Sequence, residues 1–277
     1  MKYVAREIEG NVNVSETHPL AELAWLLGGV VLIIAAIYLL LGLAADYAAD
    51  HMPVEAEVWL GEKGVMEYGA AESEPLRRRL DPLLAALPAD SPLKKYRFRV
   101  HLVESADVNA VALPGGQILV FSELVNQAVS ENELMMVLAH ELGHYAHRDH
   151  LRGLGRGLGV ALATMLIFGQ ESGVSSLVSD VSMRFEARYS QAQESAADAF
   201  AVDLLVASEG HAGGATDFFE RLDEQRGEGK LGYLFASHPH PADRIDKIRQ
   251  RIAAAGYIVA DTEPLGQDLV RKEETPQ

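Results

Sequence analysis

The sequence predicts an α+β protein in which an N-terminal membrane-spanning helix precedes a small sheet and a mostly helical C-terminal part. The first observation is the stretch from Leu23 to Ala45, which contains no charged residue. The second is a series of short segments between 54 and 121 that alternate apolar and polar residues or are bounded by Pro and Gly. The third is helical periodicity from Ser122 onward.

The chain has 277 residues, a formal net charge of −16 and no cysteine. Its length allows one sizeable domain plus an appendage. We therefore divide it into a polar segment 1–20, a transmembrane helix 21–46, a domain 47–260 and a polar, flexible tail 261–277. The negative charge would repel phosphate backbones, which argues against a nucleic-acid partner. Without cysteine, a soft-metal site must use His and carboxylate ligands.

The apolar stretch would form a helix about 35 Å long, enough to cross a hydrocarbon core of about 30 Å. A buried core helix and a cleaved signal peptide are the alternatives, and Gly42-Leu43-Ala44 resembles a cleavage site. Core helices are seldom apolar on all sides, and the polar lead is long for a signal peptide. We therefore predict a single-pass anchor. Lys2 and Arg6 before it, and the acidic stretch after it, favour a domain on the extracytoplasmic side.

The segments after the anchor predict short elements. Val54 to Leu60 alternates apolar and polar residues, and a turn at Gly61 to Gly64 with a return over 65–68 would complete a hairpin. Leucines at helical spacing after Pro75 predict a helix that is stopped by Pro88.

Three further strands complete the predicted sheet. Tyr96 to Val103 alternates as a strand. Asn109 to Leu113 and Gln117 to Phe121 read as two strands, joined by a tight turn at Pro114-Gly115-Gly116.

The next helix carries the chemistry. Ser130 followed by Glu133 is a capping-box pattern that predicts its start. His140-Glu141-Leu142-Gly143-His144 then places two imidazoles on one helix face, where both can bind one Zn²⁺. Glu141 lies beside that metal and can act as the catalytic base in peptide hydrolysis. The pattern predicts one zinc ion per chain; two unrelated surface histidines are the alternative.

A catalytic zinc site needs a third protein ligand and keeps its fourth position open. His150 is one candidate by its spacing from His144, but His147 stands where the chain would need a glycine to turn back. Glu194 is the other candidate. Asp198, one turn further along the same helical face, could accept the second N–H of a zinc-bound histidine. Spacing alone leaves both candidates open.

Together, His140 to His144 and the downstream Glu194-x-x-Ala197-Asp198 resemble the HtpX and CAAX-prenyl-protease family of membrane-bound zinc metallopeptidases. The resemblance covers roughly Glu55 to Gln250. It implies a zincin-like metallopeptidase domain with Glu194 as the third zinc ligand. It also implies protein or peptide substrates, a lipid bilayer as partner, and a role in protein quality control.

The segment before the active-site helix resembles the edge strand of that family, which could pair with an extended substrate backbone. The residues predicted to contact substrate are Asn109, Ala110, Val111 and Ala112. Gln191 and Asp149 depart from the family pattern and leave the hydrogen bonding around the zinc ligands undetermined.

Ser237-His238-Pro239, followed by Arg244, also resembles a family motif. His238 could donate a hydrogen bond to the developing oxyanion, or occupy the open zinc position as a gate. The structural alternative is a His-Pro turn that closes the helical part, with Arg244 paired internally. His147, His150 and His240 are predicted to be surface residues.

A second apolar stretch, Leu158 to Phe168, is too short to span a bilayer. We interpret it as a core or membrane-surface helix, with a partial dip into lipid as the alternative. Some family members have a long apolar hairpin at this place, so its reduction favours a single-anchor enzyme.

These observations favour a metalloendopeptidase that acts on damaged or mis-assembled proteins at a membrane. The alternative is a zinc-holding chaperone or assembly factor with a protease-like domain. A structural metal site is a weaker alternative, because structural zinc sites usually close all four positions. Glu141 discriminates between these functions, since a site that only holds zinc does not need it.

Overall fold

The computed structural model describes residues 18–169, 189–224, 238 and 241–269. Its elements confirm the predicted α+β class: an apolar helix comes first, a small sheet with two interspersed helices follows, and the remaining elements are mostly helices. One face of the sheet packs on the main hydrophobic core and the other on a smaller cluster.

The first helix, α1, spans Pro19–His51, and the proline at its first position suits a helix start. The predicted span 21–46 lies wholly inside it. Of the described helices, α1 alone is long and apolar enough to cross a membrane. Trp25 and Leu32 are 83% and 70% exposed. Such exposure contradicts the alternative of a buried core helix.

Helix α2, Val54–Glu67, occupies the segment predicted to form a hairpin, so that prediction is wrong. Gly61 and Gly64 do not form a turn but lie on the helix face that touches the sheet. A Cβ atom on Gly61 would stand 2.0 Å from the carbonyl oxygen of Pro114. The glycines therefore permit close packing of α2 against the sheet. The charged residue Glu57 of the same helix is also buried.

Helix α3, Glu74–Ala86, confirms the helix predicted between Pro75 and Pro88. Ser73 caps it, because its hydroxyl accepts a hydrogen bond from the N–H of Leu76. The leucines at helical spacing are buried in the main core.

Four strands form the sheet: β1 (Ala71–Glu72), β2 (Arg99–Val103), β3 (Ala110–Leu113) and β4 (Gln117–Phe121). Their order is β1-β2-β4-β3. Strands β2 and β4 are parallel, and the other pairs are antiparallel. Strand β3 is therefore an edge strand, as predicted.

The turn between β3 and β4 is the predicted Pro114–Gly116. Gly115 and Gly116 have φ angles of 71° and 86°, in the left-handed region that favours glycine. A Cβ atom on Gly115 would also stand 2.3 Å from Cα of Val58 in α2. The turn therefore needs glycine for its conformation and for its contact.

The other helices are α4 (Ser122–Gln127), α5 (Glu131–Ala146), α6 (Asp149–Phe168), α7 (Gln191–Glu209), α8 (Asp217–Glu224) and α9 (Pro241–Ala255). Ser130 caps α5 by accepting a hydrogen bond from the N–H of Glu133, as predicted. Where α5 crosses α7, a Cβ atom on Gly143 would stand 2.8 Å from Cα of Ala197. The two backbones therefore approach closely within the segment from His140 to His144.

Only two residues, His147 and Arg148, connect α5 to α6. Arg148 has a φ angle of 55°, which is uncommon for a residue with a side chain. Its guanidinium donates to Glu57 at 2.6 Å, and the hydroxyl of Tyr96 donates to the other oxygen of Glu57 at 2.8 Å. This partly buried ion pair ties α2 to the connection between α5 and α6.

The sequence predicts a flexible tail from 261 onward, whereas the tail residues up to 269 pack on the domain. The N–H of Glu131 donates to the carbonyl oxygen of Glu263 at 3.0 Å. Arg79 binds both Glu131 and Asp268, each at 2.6 Å. Backbone pairing and this arginine hold the first part of the tail in place.

Candidate active site

His140 and His144 lie one turn apart on α5, and both imidazoles are buried. Their Nε2 atoms are 3.1 Å apart. Glu194 approaches from α7, with carboxylate oxygens 3.6 Å from Nε2 of His140 and 3.4 Å from Nε2 of His144. Among the described residues, these three and His238 form the group that could hold a metal ion. His150, the competing candidate, is not in it.

The spacing of the three ligands fits a zinc ion. With zinc bonds of about 2.0–2.1 Å, atoms at tetrahedral corners lie about 3.3–3.4 Å apart. The observed distances of 3.1, 3.4 and 3.6 Å bracket that value. Two imidazoles and one carboxylate also form a donor set that is typical of catalytic zinc.

Each candidate ligand histidine has a carboxylate behind it. Nδ1 of His140 lies 2.9 Å from Asp198, and Nδ1 of His144 lies 3.1 Å from Asp149. The side-chain amide of Gln193 donates to the second oxygen of Asp149 at 2.7 Å. If each Nδ1 donates its proton outward, both Nε2 atoms, once deprotonated, can direct their lone pairs at the same point, where a cation could bind.

His238 is buried and stands at the fourth corner of this group. Its Nδ1 lies 3.1 Å from an oxygen of Glu194 and 3.3 Å from Nε2 of His140. Its Nε2 lies 3.9 Å from Glu141. The structure thus brings His238 to the metal side, a position that both the oxyanion hypothesis and the gate hypothesis require.

Arg244 on α9 is also buried and lies against the carboxylates. It contacts Glu194 at 2.8 Å and the two oxygens of Asp198 at 2.7 and 2.8 Å. The internal pairing predicted as a structural alternative for Arg244 therefore exists together with His238 at the site. The guanidinium of Arg244 thus links the candidate ligand Glu194 to Asp198, the carboxylate next to the candidate ligand His140.

The two carboxylates beside Arg244 stay ionised despite burial. Burial would raise the pKa of Glu194, but the charges of His238 and Arg244 hold it well below its usual range. Burial would likewise raise the pKa of Asp198, but the charge and hydrogen bonds of Arg244 keep it at about 2. Both groups are therefore negative at neutral pH, as cation binding requires.

The two imidazoles are shifted in opposite directions. Burial and then the charge of Arg244 lower the pKa of His140. Burial also opposes charge on His144, but hydrogen bonds to Asp149 and Glu194 outweigh it and raise the pKa to about 9. A metal ion must therefore displace a proton from His144 at neutral pH, so metal affinity should fall as the pH is lowered.

Glu141 is buried beside the ligands, and one of its oxygens has no hydrogen-bond partner within the described part of the chain. A cavity of about 20 Å³ adjoins it, with Ala110 of β3 and Phe219 of α8 among its walls. A free carboxylate oxygen beside apolar walls suits a proton acceptor.

The four residues predicted to contact substrate lie in one stretch of chain, but only Ala110 lines this cavity. The side-chain oxygen of Asn109 accepts a hydrogen bond from the N–H of Ala110, and its carbonyl oxygen accepts one from Phe121, each at 3.0 Å. Val111 and Ala112 lie further along β3. β3 lies at the edge of the described sheet, so none of the described strands pairs with its outer side, where an extended peptide could add a strand.

The predicted surface histidines have different positions. His147 is exposed, as predicted, and His240 lies outside the described residues. His150 is buried, so that prediction is wrong. The reason is the left-handed conformation of Arg148, after which α6 begins at once and turns His150 against the ring of Tyr145, with ring centres 4.2 Å apart.

Two contributors were missed at the sequence level. Asp149 was identified only as a departure from the family pattern, and its position directly after the motif helix was the available signal. Tyr189 stacks on the ring of His144, with centres 3.7 Å apart. No local pattern marks Tyr189, because it precedes α7 and reaches His144 only through tertiary packing.

Replacing Asp149 or Asp198 with asparagine should weaken metal binding about 10- to 100-fold, because the amide lacks the charge that keeps Nδ1 protonated. Competition with a chromogenic chelator measures the affinity. Asp203→Asn is the matched control, since Asp203 also lies on α7 but pairs with Arg251 near the surface. Parent-like affinity in both test variants would show that these carboxylates do not orient the ligands.

Comparison with known proteins shows the family. The profile of peptidase family M48 matches residues 70–252. Metalloprotease LoiP of Escherichia coli K12 is 30% identical over 188 residues, which are 65% of this chain and 71% of the relative. Metalloprotease YcaL of the same organism is 32% identical over 224 residues, which are 77% of this chain and 86% of the relative.

A mitochondrial relative matches a smaller share. Mitochondrial metalloendopeptidase OMA1 of Arabidopsis thaliana is 30% identical over 164 residues, which are 58% of this chain but only 33% of the relative. The profile match contains the sheet, α5 and α7, and therefore every candidate ligand. The predicted resemblance is thus confirmed at the level of the family: this chain belongs to peptidase family M48, whose members matched here are metalloproteases.

Proposed function

We propose that this member of family M48 is a membrane-anchored, zinc-dependent endopeptidase of the single-anchor quality-control branch that resembles HtpX. The observation that carries the proposal is an oxygen of Glu141 that has no hydrogen-bond partner among the described residues, beside three convergent candidate ligand atoms. A site that only stores zinc has no use for such a carboxylate.

His140, His144 and Glu194 would hold one zinc ion. When bound, zinc supplies a Lewis acid that polarises the peptide carbonyl and makes water acidic enough to attack near neutral pH. Glu141 accepts a proton from the attacking water and delivers it to the leaving amine. Asp149 and Asp198 keep the ligand imidazoles in the tautomer that the metal needs.

Relatives and packing support the cellular part of the proposal. Relatives named for β-barrel assembly enhancement or as mitochondrial metalloendopeptidases suggest protein substrates at membranes. The last turns of α1 are held to α6 by ion pairs such as Arg152 to Asp50 at 3.0 Å, which favours a retained anchor over a cleaved signal. We place the domain on the extracytoplasmic side.

The proposal is tested by metal analysis and casein cleavage with the detergent-purified chain. We expect about one zinc per chain, cleavage that a chelator abolishes, and recovery when zinc is returned. Zinc binding without cleavage would favour the zinc-holding chaperone, unless removal of His238 releases activity. Cleavage that survives full removal of the metal would overturn the zinc mechanism.

Position favours His238 as a gate over His238 as an oxyanion donor, because its Nδ1 lies 3.1–3.3 Å from the ligand atoms. We therefore expect His238→Ala to raise casein turnover or leave it unchanged, with zinc content retained. His51→Ala, at the exposed end of α1, is the matched control. A fall in turnover with normal zinc would instead favour the oxyanion role.

A further inference from the structure

Helix α6 runs antiparallel to α1 in close contact. A Cβ atom on Gly155 would stand 2.9 Å from Cβ of Ala45, and one on Gly159 would stand 3.1 Å from Leu41. The two helices are therefore in antiparallel register: moving four residues forward along α6, from Gly155 to Gly159, corresponds to moving four residues back along α1, from Ala45 to Leu41. Small residues at such a contact are typical of helices that pack within membranes.

Charged residues of the two helices meet at one level. Arg152 contacts Asp50 at 3.0 Å, and Arg156 contacts Asp46 at 3.2 Å. We call these four residues the charged belt. Beyond it, α1 has no charged residue back to 23, and α6 has none from 157 to its end at 168. Both helices thus change from charged to apolar at the same height.

The charge-free part of α6 reaches deep along the anchor. Its 12 residues rise about 18 Å, somewhat more than half of a hydrocarbon core of about 30 Å. By the register of the glycine contacts, the end of α6 lies level with residue 32 of α1. That level is near the middle of the span, not at its rim.

The outer face of this part of α6 suits lipid. Leu158 and Val160 are 49% and 38% exposed, although both are large and apolar. Thr164 satisfies its hydroxyl within the helix by donating to the carbonyl oxygen of Val160 at 2.8 Å. These exposed side chains continue the exposed apolar surface of α1, for which Leu40 is 65% exposed at the level of Val160.

We propose that residues 157–168 of α6 insert beside α1 into one leaflet and form a second, half-depth anchor whose partner is lipid hydrocarbon. This rests on the membrane anchor of the proposed function. The inserted part begins just beyond Arg156, seven residues after Asp149, and thus about 10 Å away. The candidate zinc site is therefore held close to the bilayer, where it meets chain segments that emerge from or lie along the membrane.

The absence of cysteine makes the test direct. Single cysteines at Val160, Leu158, Leu40 and Val129 of the full chain are spin-labelled and the protein is placed in phosphatidylcholine–phosphatidylglycerol vesicles. Collisions of the spin label with oxygen report exposure to lipid, and collisions with a water-soluble nickel chelate report exposure to water. Leu40 is the matched control at equal depth on α1, and the exposed Val129 is the aqueous control.

We expect the labels at Val160 and Leu158 to match Leu40 in oxygen accessibility. Their nickel accessibility should be roughly tenfold or more below that at Val129, because a polar chelate is excluded from hydrocarbon. Nickel access at both α6 positions with Leu40 in lipid would overturn the inference and leave the anchor intact. Nickel access at Leu40 as well would overturn the anchor itself. Labels shielded from both reagents would also overturn the inference, because protein, such as a second copy, would then cover this face instead of lipid.

Discussion

Replacing Glu141 with glutamine is expected to lower casein turnover by about 10²- to 10⁴-fold, which is the usual effect of removing a general base. Glutamine has nearly the same volume, but its amide cannot take a proton from water. The proposed zinc ligands are other residues, so zinc content should be unchanged. Metal analysis and initial rates on the same preparations measure both quantities.

The control for Glu141 is Glu62→Gln, an equal change at an exposed position of α2. It should retain full turnover and zinc. Full turnover in Glu141→Gln would show that another group accepts the proton. Loss of zinc in that variant would make Glu141 a ligand and remove its role as base.

Replacing Arg244 with methionine is expected to lower the free energy of unfolding by about 3–5 kcal/mol, because it leaves buried charges without their partner. Glu194 and Asp198 are almost fully buried and share this guanidinium. Methionine fills similar space but carries no charge. Urea unfolding at a fixed zinc concentration, followed by circular dichroism, gives the difference.

The matched control is Arg251→Met. Arg251 also lies on α9 and pairs with an aspartate of α7, Asp203, but both side chains are about two-fifths exposed. Surface pairs of this kind contribute little to the free energy of unfolding, so the loss should be much smaller than in Arg244→Met. Equal losses in the two variants would show that the buried carboxylates do not depend on Arg244.

The elements that sequence reasoning identified are those fixed by local chemistry. Ser130 caps α5, and Gly115 with Gly116 allows the turn between β3 and β4. Each feature depends on a few neighbouring residues, so a local sequence pattern can predict it. Helix α2 was misread because its glycines serve a contact with the sheet and its buried Glu57 serves Arg148. Those partners are distant in sequence, and a local pattern cannot reveal them.

The candidate site divides in the same way. The pairing of His140 and His144 follows from helical periodicity alone. Glu194 is implied by the family resemblance, and its carboxylate lies 3.4 Å from Nε2 of His144 in the structure. The position of His238 beside the ligands, and the contacts of Arg244 with Glu194, arise only when α7 and α9 pack on α5. Sequence spacing carries no information on that packing.

The close crossing of α5 and α7 at Gly143 has a consequence for how metal and folding are coupled. The candidate ligands are held by backbone packing and by carboxylates and an arginine that the chain itself supplies. In a zinc finger, much of the free energy of metal binding is used to order the chain. Here the chain supplies many contacts to these side chains, so we expect the free energy of metal binding to appear mainly as metal affinity, and the fold to outlast removal of the metal.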